Sequence, residues 1–157
     1  SLSFGEIIRY QEDTWIIFYP LLGQLSFIIF FISALAEGNR IPFDLSEAES
    51  ELISGYTTEY SGIKFALFYL AEYVHLFGIC VLGSIIFFGG SNGPFFSSNI
   101  LIVIKALLFF TLILFIRWSF FRIRIDQLLK FNWVKLIPLS FAGLLLACLL
   151  KYYMDFS

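Results

Sequence analysis

Between Ala36 and Tyr60 the chain reads AEGNRIPFDLSEAESELISGYTTEY, and six of its twelve carboxylates lie there: Glu37, Asp44, Glu47, Glu49, Glu51 and Glu59. Arg40 is the one cation among them. Acids crowded this densely repel one another. Partial burial raises a carboxyl pKa further, so the cluster is suited to taking up and releasing protons. The competing account is a solvated acidic loop with no chemistry. Locally, Ile41-Pro42 favours extended backbone, because proline disfavours helix at the residue before it. Ser46 with Glu49 forms a capping-box pattern, which predicts a short helix from Glu47 to Ser54 that stops at Gly55. On that helix Glu47 and Glu51 are i,i+4, an unfavourable like-charge pair.

Two more titratable residues stand apart, in LAEYVHLFG: Glu72 and, three residues on, His75. Glu72 falls inside an apolar run. A charge there costs about 2.5–3.5 kcal/mol on insertion scales and usually marks an ion or proton path. The plainer account is a helix-end residue reaching the membrane surface. His75 reads equally as a packing residue or as a relay member. It is the single histidine, so no histidine-rich metal site forms from this chain alone. Cys80 and Cys148 sit singly in apolar runs, without metal or redox spacing, and read as small hydrophobes. Lys105 reads as the partner of a neighbouring carboxylate.

The elements that must position these groups are apolar helices. The chain is 59% hydrophobic and 14% charged, with mean hydropathy +0.87, more apolar surface than a soluble domain of 157 residues can hide. The predicted class is an all-α membrane protein with about four transmembrane helices, a long acidic inside loop holding a short helix, and an interfacial amphipathic helix. The spans are expected near 14–36, 65–88, 100–116 and 134–151, with inside loops 37–64 and 117–135. Pro20 and Gly23 should kink the first span. The fourth is short and gains length if Lys135 and Lys151 snorkel. Between the last two spans lie Arg117, Arg122, Arg124, Lys130 and Lys135, while the 89–99 link carries no Lys or Arg, so the basic and acidic links share the inside. In RIRIDQLLKFNWVKL, Ile125, Leu128, Leu129 and Trp133 recur near helical spacing, the mark of a helix lying at the interface. No basic stripe is interleaved with polar surface, which disfavours a nucleic-acid partner. SLSFGEIIRYQED lacks the pattern of a signal peptide, and the absence of a starting Met suggests a processed or fragmentary chain.

The long motif LAEGNRIPFDLSEAESELISGYTTEY followed by FALFYLAEY resembles the signature of the NADH dehydrogenase subunit 1 family, as do IRWSFFRIRIDQL and QEDTWIIFYPL. The resemblance covers nearly the whole chain but only the second half of that family, spans five to eight of eight. It implies a membrane subunit of respiratory complex I in which Arg40, Phe43 and Asp44, with Tyr69, Leu70 and Arg117, line a ubiquinone access tunnel. It also implies that Glu37, Glu47, Glu49, Glu59 and Glu72 belong to the proton path that couples quinone reduction to proton translocation. No catalytic or metal-ligating residue is expected. This chain would bind no cofactor. FMN and iron–sulfur clusters would sit in partner subunits of the quinone module, and the first four spans on a separate chain, as from a split gene, or lost to truncation. The other membrane-arm subunits and lipids complete the expected partners. Gly38, Ala48 and Phe121 depart from residues common in the family. The 21 phenylalanines fit an A+T-rich organellar genome. The resemblance implies the mitochondrial inner membrane, and the Lys and Arg distribution then puts the acidic loop on the matrix side. Two other classes share some features: a membrane-bound hydrogenase subunit, which has the acidic loop without the quinone tunnel, and an ion-coupled transporter, for which Glu72 would be the coupling site but whose usual internal repeats are missing.

Overall fold

The computed structural model describes residues 3–12, 14–19, 21–38, 42–43, 60–93 and 99–156, with side chains through 153. The described chain is helical and contains no strand. Helix α1 covers Phe4–Tyr10, a 3-10 turn Ile16–Phe18, α2 Leu22–Glu37, α3 Ile63–Phe87 and α4 Asn99–Ser119. Helix α5, Ile125–Phe131, runs through a π turn at Asn132–Leu136 into α6, Ile137–Phe156.

Three helical stretches are long and apolar enough to cross a membrane: Ile63–Phe87, Asn99–Ser119 and the continuous Ile125–Tyr153. Helix α2 is shorter, with 16 residues. At 1.5 Å per residue it reaches about 24 Å, less than the hydrocarbon core. Thr14 to Ala36 is therefore not one kinked span. A proline at position 20 has no N–H to give to the Ile16 carbonyl. That carbonyl instead accepts the Tyr19 N–H at 3.1 Å, closing the 3-10 turn. Leu21 then takes φ 66° and α2 starts afresh. Gly23 is required by a close approach, since any Cβ there would collide with the Ile16 carbonyl.

Helices α3 and α4 are antiparallel neighbours. The buried face of α3 is Leu76, Cys80, Gly83, Ser84 and Phe87, and that of α4 is Ala106, Phe109 and Ile113. Both sets recur at helical period, so each helix offers one stripe to the other. Helix α2 lays three phenylalanines over this pair. Phe27 meets Phe87 at 5.3 Å between centroids, and Phe31 meets Phe109 at 5.4 Å, both edge-on. Gly83 seats two of the rings: a Cβ there would lie 3.0 Å from Phe30 and 3.2 Å from Phe109. Helices gain nothing by leaving lipid for one another on hydrophobic grounds, so close packing and oriented rings hold this core together.

Helix α6 packs differently. Its neighbour among the helices is α2, and the most apolar stretch of Ile125–Tyr153 has no buried residue. The π turn beneath it has a local cause. Pro138 cannot donate to the Val134 carbonyl and its ring crowds it, and the Ile137 N–H reaches one residue further back than usual, to the Asn132 carbonyl. The amphipathic helix expected within RIRIDQLLKFNWVKL is the seven-residue α5, which continues through the π turn into α6. Arg117 lies in the last turn of α4, and residues 120–124 are non-helical.

Candidate functional site

Polar side chains gather at the two ends of the α3–α4 pair. At the end where α3 gives way to Gly89, a polar knot forms, fully buried at Gln11 and half-buried at Asn92 and Lys105. Gln11 is 1% exposed. Its amide nitrogen donates to the Ile85 carbonyl at 3.1 Å, and its oxygen accepts the Gly89 N–H at 3.0 Å and the Ile16 N–H at 3.3 Å. Asn92 Nδ2 donates to the Ile8 carbonyl at 3.0 Å. The Lys105 ammonium donates to three carbonyls: Phe88 at 2.6 Å, Gly90 at 2.9 Å and Asn92 at 2.6 Å. It also stands 4.6 Å from the centre of the Trp15 ring. This corrects the sequence-based expectation of a carboxylate partner. Main-chain oxygens near the C-terminus of α3 carry the negative end of its dipole and saturate all three ammonium protons. Gly89 and Gly90, at φ 70° and 53°, bend the chain into this arrangement.

At the opposite end the groups are looser and more open. Glu37, the last residue of α2, places Oε1 3.8 Å from His75 Nε2 on α3. Both side chains are largely exposed within this chain, 70% and 55% respectively. Glu37 also borders a cleft of about 440 Å³ between α2 and the α5–α6 junction, with Ser33, Asn132 and Ser140 on its walls. Glu72 is half-buried one turn before His75. Tyr69 is half-buried too, its ring 4.8 Å from that of Phe65, and Leu70 is exposed. Arg117 is half-buried at the end of α4, where a cation complements the helix dipole.

Phe43 has a placement that its neighbours in sequence do not indicate. It is 7% exposed and belongs to the cluster of Leu35, Leu76, Ala106 and Ile113. The adjacent Pro42 carbonyl accepts the Ile123 N–H at 3.0 Å. Phe43 thus plugs the acidic stretch into the core and pins it to the basic segment. Arg40, Asp44, Glu47, Glu49 and Glu59 lie outside the described residues, as does the predicted helix from Glu47 to Ser54. The structure therefore brings together Glu37 and His75, puts Glu72, Tyr69 and Leu70 on the same helix as His75, and sets Arg117 at the same end. Among the described residues no group of three or more His, Cys, Asp and Glu side chains is placed to hold a metal. Gln11 and Asn92 carry no local signal, since Gln11 reads as part of a polar QED run and two of its partners, Ile85 and Gly89, lie 74 and 78 residues away.

An apolar cleft of about 680 Å³ also separates α2 from α6, with Tyr19, Ser26, Gly143 and Ala147 among its walls. Its polar lining is confined to a few hydroxyls, and no titratable acid borders it.

The sequence profile of the NADH dehydrogenase family matches residues 1–148. An NADH-quinone oxidoreductase subunit from Bacillus cytotoxicus is 47% identical over 155 residues, which is 96% of this chain and 46% of that protein. The corresponding NADH-quinone oxidoreductase subunits from Bacillus thuringiensis and Bacillus anthracis are each 45% identical over the same coverage. The chain spans about half the length of these curated relatives, 46%. An all-helical architecture with membrane-length helices and a match over most of its residues agree: the chain belongs to the NADH dehydrogenase family.

Proposed function

We propose that this chain is one half of the membrane subunit of a quinone-reducing complex I. It helps form the ubiquinone access tunnel and the acidic path that couples quinone reduction by NADH to proton translocation. The observation that carries the reading is the inside end of the α3–α4 pair. There a helix that matches the family presents Tyr69, Leu70, Glu72 and His75 in succession, and Glu37 approaches it from α2. An isoprenoid tail favours apolar and aromatic walls, which Tyr69 and Leu70 supply. Arg117 and, from the acidic stretch, Arg40 and Asp44 are the charged wall residues. Phe43 contributes an edge at most, since its ring is packed inward, and its chief role is to anchor the loop. Glu37, Glu47, Glu49, Glu59 and Glu72 form the path that answers the charge left by quinone reduction.

The chemistry of electron transfer comes from elsewhere. FMN and iron–sulfur clusters in partner subunits supply the electrons, and this chain holds walls and protons. Residence in the mitochondrial inner membrane is part of the same proposal, supported by the family resemblance; the relatives named above are bacterial. Purification from native membranes tests the whole reading. Co-purification with flavin, iron–sulfur subunits and a second chain of the same family supports it. A nickel-iron subunit in their place makes the chain part of a hydrogenase. Isolation without redox partners makes it a transporter component.

A further inference from the structure

We propose that His75 carries protons between Glu37 on α2 and Glu72 on its own helix, an inference that rests on the acidic path proposed above. Its Nε2 lies 3.8 Å from Glu37 Oε1, within reach of a direct hydrogen bond after a small side-chain adjustment. Glu72 precedes it by three residues and so projects from the same side of α3. The helix cannot easily rotate away from this arrangement. Leu76, next in sequence, is fully buried against α4 and fixes the facing of α3. Glu37 in turn borders the polar cleft beside Asn132, so the cleft, Glu37 and His75 are contiguous and Glu72 lies one turn nearer the start of α3.

The chemistry suits an imidazole. With an ordinary pKa near 6.5, it is the side chain whose unperturbed titration falls between pH 5 and 8. It accepts a proton at one ring nitrogen and releases one from the other, and exchange of tautomers resets it. A histidine kept only for packing is normally buried with its nitrogens tied to the protein. Here more than half of the ring is open, and a carboxylate stands beside it. Among the described residues α2 presents Glu37 at this end, α3 itself Lys64 and Glu72, α4 Arg117, and the segment that follows α4 and packs beside Phe43 brings Arg122, Arg124 and Asp126. Lys105 on α4, and Glu6 and Arg9 on α1, belong to the opposite end.

The test compares His75→Gln with Glu72→Gln in the assembled complex in native membranes. Glutamine places an amide near Nε2 and keeps the contact with Glu37, but it cannot titrate. Quinone reduction by NADH in His75→Gln should fall by about tenfold, less than the factors of about 10² to 10⁴ lost with a general acid–base group, because water partly substitutes. Electron transfer from NADH to a soluble artificial acceptor should stay unchanged. The pH–rate profile of His75→Gln should differ in shape from that of wild type, a change that a packing role would not produce. Wild-type rate and pH profile in His75→Gln, with Glu72→Gln slowed, overturn the role of His75 and leave the acidic path standing. Wild-type behaviour in both overturns the path as well. If His75→Gln does not assemble, His75→Asn is measured instead. Failure of both to assemble makes His75 a structural residue and overturns the proposal.

Discussion

The two ends of the α3–α4 pair treat polar atoms in opposite ways. At the Gly89 end, Gln11 and Lys105 find partners within this chain, and their donors are filled at 2.6 to 3.4 Å. At the Glu37 end, an acid and an imidazole face each other at 3.8 Å, largely uncovered. A satisfied buried network rigidifies; a half-open pair of titratable groups is free to exchange protons and waits for further surfaces to enclose it. The difference separates the end that holds from the end proposed to work, and it can be broken by substitution.

The largest effect is expected at the holding end. Lys105→Met removes a cation and leaves three carbonyls inside the fold without their donor. Each hydrogen bond to a charged group is worth about 1.5–3 kcal/mol, and three half-buried ones are lost together. The complex should fail to assemble, or lose most of its thermal stability, as native gels or melting of the purified complex would record. Normal assembly would show that the knot is not what holds this end. Next in size, Arg40→Ala should lower quinone reduction by about a hundredfold, equivalent to about 2.7 kcal/mol, while NADH oxidation by an artificial acceptor persists. Equal loss of both activities would move Arg40 to the holding class and blur the comparison.

Gln11→Leu should be milder, destabilising by about 1–3 kcal/mol, because the Gly89 and Ile16 N–H groups lose their acceptor. Quinone turnover in the surviving complex should be unchanged. A selective loss of turnover would break the division from the other side. The smallest effect is expected at Asp126→Asn on α5, an exposed position in the first turn of a short helix, where losing one surface charge matters little. Stability and rate should both stay near wild type. A large effect there would mean that α5 meets a partner surface.

What the residues reveal before folding follows the same division. Helices α3 and α4 are visible in hydropathy alone, because one apolar run makes one membrane-length helix. The acid cluster, Glu72 and His75 stand out because charge in an apolar chain is conspicuous. The knot is nearly invisible. Carbonyl acceptors have no sequence signature, so the residue types around Lys105 do not name its partners, and those of Gln11 are remote in the chain. Pro20 is readable as a disturbance, but whether the chain bends or breaks depends on where the Ile16 carbonyl finds a donor, a question decided in three dimensions. Phe43 is similar: one large ring in a polar stretch does not say which way it points, and the pairing of Pro42 with Ile123 decides it.

The π turn at Asn132–Leu136 holds, in effect, one surplus residue. Each residue of an α-helix turns the chain by about 100°, so an added one re-phases everything that follows by that amount. Helix α6 faces α2 with Gly143 near Leu25 because of that extra step, and its Ser140 and Ala147 border the apolar cleft for the same reason. A one-residue deletion between 132 and 136 would leave the composition of α6 almost untouched and yet present a different side of it to its neighbour. The last membrane-length helix is thus tuned like a dial, by count and not by content.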